Sequence, residues 1–231
     1  MLPLSIIVPA LDEAAGIAGM LEALQPMRAR EVEVVVVDGG SRDATRRLAA
    51  PLADRVIEAP RGRASQMNAG ARASGGALLA FVHADTRLPP DAPEAIRGAL
   101  SDGARAWGRF DVRIEGASPL LAVVGAAMNA RSRATGIATG DQAMFARRDA
   151  FEAAGGFPDI PLMEDVALSS ALKRISRPAC LPQRVVTSGR RWERRGTLAT
   201  VLLMWRLRLA YSLGVDPHRL ARRYDVERTS T

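Results

Sequence analysis

Two short apolar runs constrain the fold of this chain most strongly. The segments "LSIIVPA" (4–10) and "VEVVVVD" (32–38) are rich in β-branched residues and do not alternate between polar and apolar side chains. Strands of this composition are typically covered on both faces, as in a parallel sheet between two layers of helices. The sequence therefore predicts an α/β fold with these strands at its centre.

The order of the other segments supports that prediction. In the first half, helical patterns over 13–24, 41–50 and 64–74 alternate with strand patterns over 55–59 and 77–85. In the second half, strands are predicted at 106–114, 142–148 and 183–188, and helices at 120–134, 164–175, 197–213 and 217–224. The β-α-β-α-β-α-β order of the first half indicates a doubly wound sheet.

Composition narrows the class of protein. Of 231 residues, 48% are hydrophobic and 25% charged, which is typical of a globular domain. The net charge is +7, and Lys173 is the one lysine among 32 basic residues. Arginines match phosphate groups well, although a general compositional preference for arginine explains many of them equally. Aromatic residues make up 4% and are not interleaved with the basic ones, so nucleic-acid binding is not expected.

The location of the protein is predicted from cysteine usage and hydropathy. A single cysteine, Cys180, excludes an intrachain disulfide framework and a cysteine-cluster zinc site, and it favours a cytoplasmic location. Residues 1–13 lack the basic start of a secretory signal. The apolar stretch 119–128 is too short to span a membrane, and 198–214 is interrupted by Arg206 and Arg208, so membrane contact is not expected.

Acidic residues follow three of the predicted strands. Asp12 and Glu13 follow the first strand, Asp38 ends the second, and Asp85 ends the fourth. Ligands of open α/β sheets bind at the carboxyl ends of the strands, so Asp38 is a candidate nucleotide contact. Alternatively, Asp38 only stabilises the turn to the next helix.

A basic segment precedes the third predicted helix. Arg61 and Arg63 stand just before the helical stretch 64–74, where a helix N-terminus and an arginine side chain could bind one diphosphate together. Alternatively, this segment is a solvated basic loop.

Taken together, these stretches resemble a known family. In order, "VPALDE", "VVDGGSRDAT", "RGRASQMNAGA" and "FVHADT" resemble the nucleotide-binding half of family 2 glycosyltransferases of the GT-A fold, and 139–168 resembles their acceptor segment. The resemblance implies a Rossmann-like, mostly parallel sheet with helices on both faces and additional C-terminal helices. It also implies one domain over 1–231, with a nucleotide-binding half (1–86), an acceptor half (87–195) and a C-terminal helical segment (196–231).

The resemblance further implies a set of donor contacts. Asp38 would contact uracil, with Pro9, Glu13 and Gly40 shaping the pocket, and Arg63, Asn68, His83, Asp85, Arg191 and Trp192 would lie at the ribose, diphosphate and sugar. Asp85 matches the last acid of the family's Asp-x-Asp motif, while His83 replaces the first. Magnesium prefers oxygen ligands, so Asp85 is the candidate ligand for Mg²⁺ or Mn²⁺, and His83 is interpreted as a hydrogen-bond donor to the diphosphate. No organic cofactor is expected.

The same resemblance implies the catalytic and acceptor residues. Asp165 is the candidate base, with Glu164 and Asp141 beside it, and Arg131, Arg133 and Gln142 are candidates for an anionic acceptor. Alternatively, Glu164 and Asp165 are ordinary first-turn acids that favour the helix dipole, and the two arginines are a solvated helix end.

Four stretches resemble one branch of the family more closely. The stretches "HADTRLP", "GRASQMNAGA", "TGDQAMF" and "SGRRW" are similar to the branch associated with arsenosugar and selenosugar biosynthesis. That similarity implies inverting transfer from a UDP-sugar, UDP-GlcNAc, to selenophosphate with formation of a C–Se bond and release of UDP and phosphate. Three other functions stay open: transfer to a lipid phosphate or another small acceptor, nucleotide-sugar sensing without catalysis, and nucleotidyl transfer.

The last long helix has more apolar surface than a core stripe requires. Leu198, Leu202, Trp205 and Leu209 fall on one face with Val201, and further apolar residues widen it. Such an excess predicts either a homodimer interface or contact with a membrane surface, with Arg206 and Arg208 at the headgroups. The homodimer is the preferred interpretation.

Overall fold

The computed structural model describes residues 2–229, apart from the side chains at 191, 194, 195 and 225–229. The strands are β1 (Leu4–Ala10), β2 (Val32–Asp38), β3 (Arg55–Glu58), β4 (Leu78–Phe81), β5 (Thr86–Arg87), β6 (Trp107–Glu115), β7 (Phe145–Arg147) and β8 (Ala179–Ser188). The helices are α1 (Ile17–Arg28), α2 (Thr45–Ala49), α3 (Arg63–Ala73), α4 (Ala92–Ala99), α5 (Leu120–Thr135), α6 (Arg148–Ala153), α7 (Glu164–Ile175), α8 (Arg190–Arg195), α9 (Thr197–Ser212) and α10 (Pro217–Thr229). A 3-10 turn covers Gly140–Gln142.

The strands form one mixed sheet in the order β3-β2-β1-β4-β7-β6-β8-β5. Strands β1 to β4 pair in parallel, with β1 between β2 and β4. Every residue of β1 is buried, which confirms the prediction that this strand is covered on both faces. Strand β7 is antiparallel to both of its neighbours, while β6 and β8 are parallel.

Two apolar layers enclose the sheet, and a third, smaller cluster lies at its C-terminal segment. One layer packs α1, α4 and α5 against alternate residues of β1 such as Ile6. The other packs α3, α6 and α7 against the opposite residues, such as Ile7. In the third cluster, Met163, Leu207 and Leu220 pack together, so that α9 and α10 cover the start of α7. The predicted α/β architecture with helices on both faces is confirmed.

The prediction of a fourth strand over 77–85 is wrong at its end. Strand β4 stops at Phe81, and the chain then turns, with the Thr86 N–H donating to the His83 carbonyl at 3.0 Å. Val82 and Ala84 remain buried outside the strand. Their apolar character therefore reflects a buried turn, and Asp85 lies in that turn instead of ending a strand.

Smaller differences have local causes. Helix α1 begins at Ile17, not at 13, because the backbone before it is hydrogen-bonded to side chains of the loop after β2. The short helices α4 and α8 were not predicted. Across residues 2–229, no helix combines the length and the apolar composition needed to cross a bilayer.

Candidate functional site

The loops after β1 and β2 are locked to each other. The Asp12 N–H donates to Ser41 Oγ at 2.9 Å, and the Arg42 N–H donates to Asp12 Oδ1 at 2.8 Å. Asp43 Oδ2 accepts the Ala14 N–H at 3.0 Å. Asp12 has a φ of 53°, which costs free energy for a residue with a Cβ and is often found at functional sites. These two acids therefore hold the rim of the sheet in shape.

Asp38 is buried in the turn that follows β2. Its Oδ2 accepts the N–H groups of Gly40 and Ser41, both at 2.9 Å, and its Oδ1 accepts the Ser41 hydroxyl at 2.5 Å. Beside it, Pro9 lies buried in β1, and Gln66 of α3 donates to backbone carbonyls of β1 and β2. The contacts of Asp38 within the protein are those of a turn-stabilising residue, and its contact with uracil stays a prediction.

Four charged residues gather above this rim. Burial raises the pKa of Glu13, and the negative charge of Asp85 raises it further, while Arg190 and Arg63 act in the opposite direction. Charges influence one another in this way only over short distances in a protein. The turn after β4, the loop after β1 and the starts of α3 and α8 therefore bring their charged residues to one place.

A short turn connects the first half of the chain to α7. The ring of His83 lies against Gly140, where a Cβ atom would come within 2.6 Å of it. His83 Nδ1 is 3.5 Å from Asp141 Oδ1, and the Gly140 N–H donates to Asp165 Oδ2 at 2.8 Å. The 140–142 turn therefore holds His83 on one side and Asp165 on the other.

The acids that begin α7 have different environments. Asp165 Oδ1 accepts the Val166 N–H at 2.7 Å, so both of its oxygens are held by backbone amides. Glu164 is 6% exposed, and burial together with the charge of Asp165 raises its pKa to about 7. Met163, just before them, has a φ of 71° and a buried side chain. Packing of Met163 under α9 and α10 keeps this unfavourable backbone conformation in place.

Arg63 connects the two groups of charges. Arg63 is an exposed residue, and desolvation where its guanidinium faces the protein lowers its pKa, but the negative charges of Glu164 and Asp141 outweigh that effect and raise the pKa above its ordinary value. The same arginine acts on Glu13. Arg63 therefore lies between the acids of the first half and those of α7.

Two predicted ligand contacts have their polar atoms engaged in the protein. The Asn68 amide donates to the Phe157 carbonyl at 2.7 Å and accepts the Phe157 N–H at 2.9 Å, and thereby joins α3 to the loop after α6. Gln142 is fully buried, and its Oε1 accepts the Thr139 N–H at 3.3 Å. The contacts present in the structure are structural for both residues.

Two of the remaining predicted contacts, Arg133 and Trp192, have partners elsewhere in the protein. Arg133 donates to Asp111 at 2.7 Å and to the Cys180 carbonyl, along β6 and β8. The side chain of Arg191 lies outside the described residues. Trp192 is half-buried and packs against the α1 side of the core.

Two arginines of this site were not predicted from the sequence. Arg190 lies near Glu13, as described above. Arg208 of α9 is half-buried, and the charges of Asp165 and Asp141 act on it. Arg208 follows Thr200, which is buried, by eight residues, or about two helical turns, and this spacing was the available signal for Arg208.

Few side chains of this site are available to bind a divalent cation. Among the described residues, no three His, Cys, Asp or Glu side chains are arranged to hold a metal ion. Asp85, with Glu13 nearby, nevertheless supplies carboxylate oxygens. This fits the way Mg²⁺ binds nucleotides, with one or two carboxylates supplemented by phosphate oxygens and water.

Similar structures share this fold. The mannosyltransferase PcManGT from Pyrobaculum calidifontis, in complex with GDP-Man and Mn²⁺, is 26% identical with a TM-score of 0.66, over 96% of this chain and 64% of that one. S. aureus TarS 1–349 in complex with UDP-GlcNAc is 16% identical with a TM-score of 0.63, over 80% of this chain and 58% of that one. Glucosyl-3-phosphoglycerate synthase from Mycobacterium tuberculosis, in complex with Mn²⁺, UDP and glucosyl-3-phosphoglycerate, is 20% identical with a TM-score of 0.59. The match covers 80% of this chain and 71% of that one.

The family assignment comes from the sequence itself. This chain spans about 60% of the length of the TarS and PcManGT chains that it matches. Comparison with curated protein sequences gave no match. Residues 5–153 match the model of glycosyl transferase family 2, which is well over half of the chain. The chain therefore belongs to glycosyl transferase family 2.

Proposed function

We propose that this chain transfers a sugar, with inversion, from a UDP-sugar to a small anionic acceptor in the cytoplasm. The observation that carries the proposal is the position of Arg63, whose charge interacts with Glu13 on one side and with Glu164 and Asp141 on the other. A transferase needs cationic groups beside the leaving diphosphate and a carboxylate beside the acceptor. This arrangement provides both.

The donor side is assigned first. We propose that Asp38, Pro9 and Gly40 bind uracil and that Arg63, His83, Arg191 and Trp192 bind the ribose and diphosphate. The TarS structure contains UDP-GlcNAc, which supports that sugar nucleotide as the donor. Asp85 would hold a Mg²⁺ or Mn²⁺ ion together with the diphosphate, as the Mn²⁺-containing relatives suggest. The ion would neutralise part of the leaving group's charge.

The proposed acceptor is selenophosphate, as the branch resemblance implies. Its selenium attacks the anomeric carbon, the C–Se bond forms, and the bond from that carbon to the diphosphate oxygen breaks to release UDP. Water then cleaves the Se–P bond, which releases phosphate and leaves a selenosugar. Selenium arrives as an anion, so Asp165 serves to orient the acceptor or to deprotonate the attacking water, with Glu164 and Asp141 as its neighbours.

Turnover tests this function. Incubation of the purified chain with UDP-GlcNAc, a divalent ion and selenophosphate should release UDP and yield a selenium-containing sugar by mass spectrometry. A donor panel crossed with selenophosphate, thiophosphate, phosphate and a short polyprenyl phosphate identifies the acceptor class. Pyrophosphate release would identify a nucleotidyltransferase, and donor binding without UDP release for any acceptor would identify a sensor.

We also propose that α9 forms a homodimer interface. Leu198, Leu202, Trp205, Leu209 and Leu213 are each at least 60% exposed and recur on one helical face. Leu202→Glu should therefore shift the mass measured by sedimentation from dimer to monomer, because a charge in an apolar interface is costly.

A liposome flotation assay separates this interface from a lipid-binding surface. Arg206→Gln, on the same helix but off the apolar stripe, serves as the control and should remain dimeric. A wild-type chain that is monomeric and floats with liposomes at physiological salt would contradict the dimer.

A further inference from the structure

Two arginines near Asp165 lack a carboxylate partner. Arg131 lies on α5 and Arg208 on α9, and both are half-buried. Within the described side chains, neither forms a salt bridge. Removal of part of an arginine's charge from water is costly unless an anion or hydrogen-bond acceptors compensate for it. This arginine pair therefore needs an explanation.

Arg131 has a donor group with no acceptor. Its Nη1 donates to the Ile137 carbonyl at 3.3 Å, whereas its Nη2 is buried and has no hydrogen-bond partner in the described part of the chain. Burial lowers the pKa of Arg131 to about 10, and the positive charge of Arg208 contributes to that decrease. A buried unsatisfied donor beside a second cation is a site where an anion would bind favourably.

The fold holds Arg208 in that position. The preceding residue, Leu207, is buried with Met163 and Leu220 over the start of α7. Arg208 therefore lies within the electrostatic influence of Asp165 and Asp141, while burial lowers its pKa. No hydrogen bond from its guanidinium to a described residue is present. Its position is fixed by packing, and its charged group is left available.

We infer that Arg131 and Arg208 together bind the tetrahedral oxyanion of the acceptor. Arginine side chains bind phosphate-like oxyanions in a bidentate manner, and the pair lies beside Asp165. The donor diphosphate has its own cations, Arg63 and Arg190, near Glu13. The inference rests on the proposed function and deepens it, because the last long helix then supplies half of the acceptor site.

This location also bears on specificity. Arg208 lies outside residues 5–153, the part of the chain that matches the family model. Residues 5–153 would thus supply Arg131 and most of the donor contacts, and Arg208 from a segment beyond them would add the second cation that selects a phosphate-class acceptor. The oxyanion could belong to a free selenophosphate-like ion or to a lipid phosphate headgroup, and the experiment must separate the two.

The experiment measures binding to the full chain without donor. Isothermal titration uses thiophosphate, inorganic phosphate and, as a separate probe, a short polyprenyl phosphate in detergent. Arg208→Gln and Arg131→Gln should each weaken binding of the oxyanion by about tenfold to a hundredfold, as expected for loss of a charge-assisted hydrogen bond. Arg206→Gln, two residues away and exposed, should bind within about twofold of the wild type.

Thermal melting distinguishes a binding role from a structural one. Arg208→Gln should melt at the same or a higher temperature than the wild type, because it removes a charge that is costly to bury and, with it, the repulsion that this charge exerts on Arg131. A structural residue would show a lower melting temperature. In turnover, the KM for the acceptor should rise by the same factor as the dissociation constant, while the KM for the donor stays within about twofold.

Each outcome decides the inference. The inference is overturned if the wild type binds none of the three probes, or if Arg206→Gln loses as much affinity as Arg208→Gln. It is also overturned if Arg208→Gln weakens UDP binding as much as oxyanion binding, because the arginine pair would then belong to the diphosphate. Binding of the polyprenyl phosphate alone, lost in Arg208→Gln, supports the subsite with a lipid headgroup as ligand. Oxyanion binding that depends on Arg208 without UDP release would retain the subsite and reject the proposed function. UDP release that is unaffected by Arg208→Gln would retain the proposed function and reject the subsite.

Discussion

Asp165→Asn should lower kcat by a factor of about 10² to 10⁴, which is the usual contribution of a positioned carboxylate that handles a proton. Both oxygens of Asp165 are oriented by backbone amides, those of Gly140 and Val166, and its charge acts on Arg131 and Arg208. Asparagine keeps the size of the side chain and loses the charge. The KM for the donor should change by less than about threefold, because the proposed role of Asp165 is on the acceptor side.

A matched control exists in the same chain. Asp149 is also the second residue of a helix, and its Oδ1 accepts the N–H of the next residue, Ala150, at 2.8 Å. Asp149→Asn should leave kcat unchanged. Steady-state rates of UDP release for both variants are the measurement, with thermal melting to confirm that each is folded. Equal rates for Asp165→Asn and the wild type would remove Asp165 from the mechanism.

The size of the decrease carries further information. An acceptor whose attacking atom is already ionised, such as thiophosphate, needs no base for its attack. With such an acceptor, Asp165→Asn should lower kcat by a factor near the lower end of the range, about 10². With a neutral hydroxyl acceptor, the factor should be near the upper end, about 10⁴.

Glu164→Gln should stabilise the protein at pH 8 and have little effect at pH 5. Burial, followed by the charge of Asp165, raises the pKa of Glu164 from its ordinary 4.5 to about 7 in the folded protein. Between these two pKa values, Glu164 is protonated in the folded protein and ionised in the unfolded chain. Its contribution to stability is therefore fully present below pH 4.5 and is lost as the pH rises through about 7. The shift corresponds to a cost on the order of 3 kcal/mol above pH 7, as an upper estimate.

Glutamine imitates the protonated acid and does not bear this cost. Urea or thermal denaturation at pH 5 and pH 8 measures the effect, and an increase in the free energy of unfolding of about 1–3 kcal/mol at pH 8 corresponds to several degrees in Tm. The control is Glu22→Gln, at an exposed position of α1, which should show no such pH dependence. A difference between Glu164→Gln and the wild type that is constant from pH 5 to pH 8 would contradict the assignment.

The local sequence was sufficient to predict the bounds of elements that have a continuous pattern of apolar or charged residues. The unalternating runs at 4–10 and 32–38 predict β1 and β2 with their observed bounds, because burial on both faces demands uninterrupted apolar residues. Helix α7 begins at Glu164 and ends at Ile175 as predicted, since its acids stand in the first turn and its basic residues in the last. The motifs along the first 153 residues were likewise sufficient to predict the family.

Tertiary structure decided features that depend on contacts between distant segments. The apolar residues Val82 and Ala84 look like a strand in sequence, but the chain turns there toward β5 at the far edge of the sheet. The sequence predicts Asn68 and Gln142 as ligand contacts; in the structure the Asn68 amide bonds to the backbone of Phe157 in another loop, and the Gln142 amide oxygen bonds to the Thr139 N–H at the start of its own turn. A polar side chain in a motif does not reveal whether its partner is a ligand or the protein.

Helix α9 shows this division most clearly. Its sequence contains one apolar face that further apolar residues widen, and periodicity alone does not determine which part of it packs inward. The structure buries Leu207 and Thr200 and exposes Trp205, so Arg208 comes to lie near Asp165. The sequence by itself determined the buried strands β1 and β2, the family and the positions of the acids along the chain. Only the packing of α9 and α10 over α7 decided which arginines meet those acids, because electrostatic interactions depend on distance in space and not on separation along the chain.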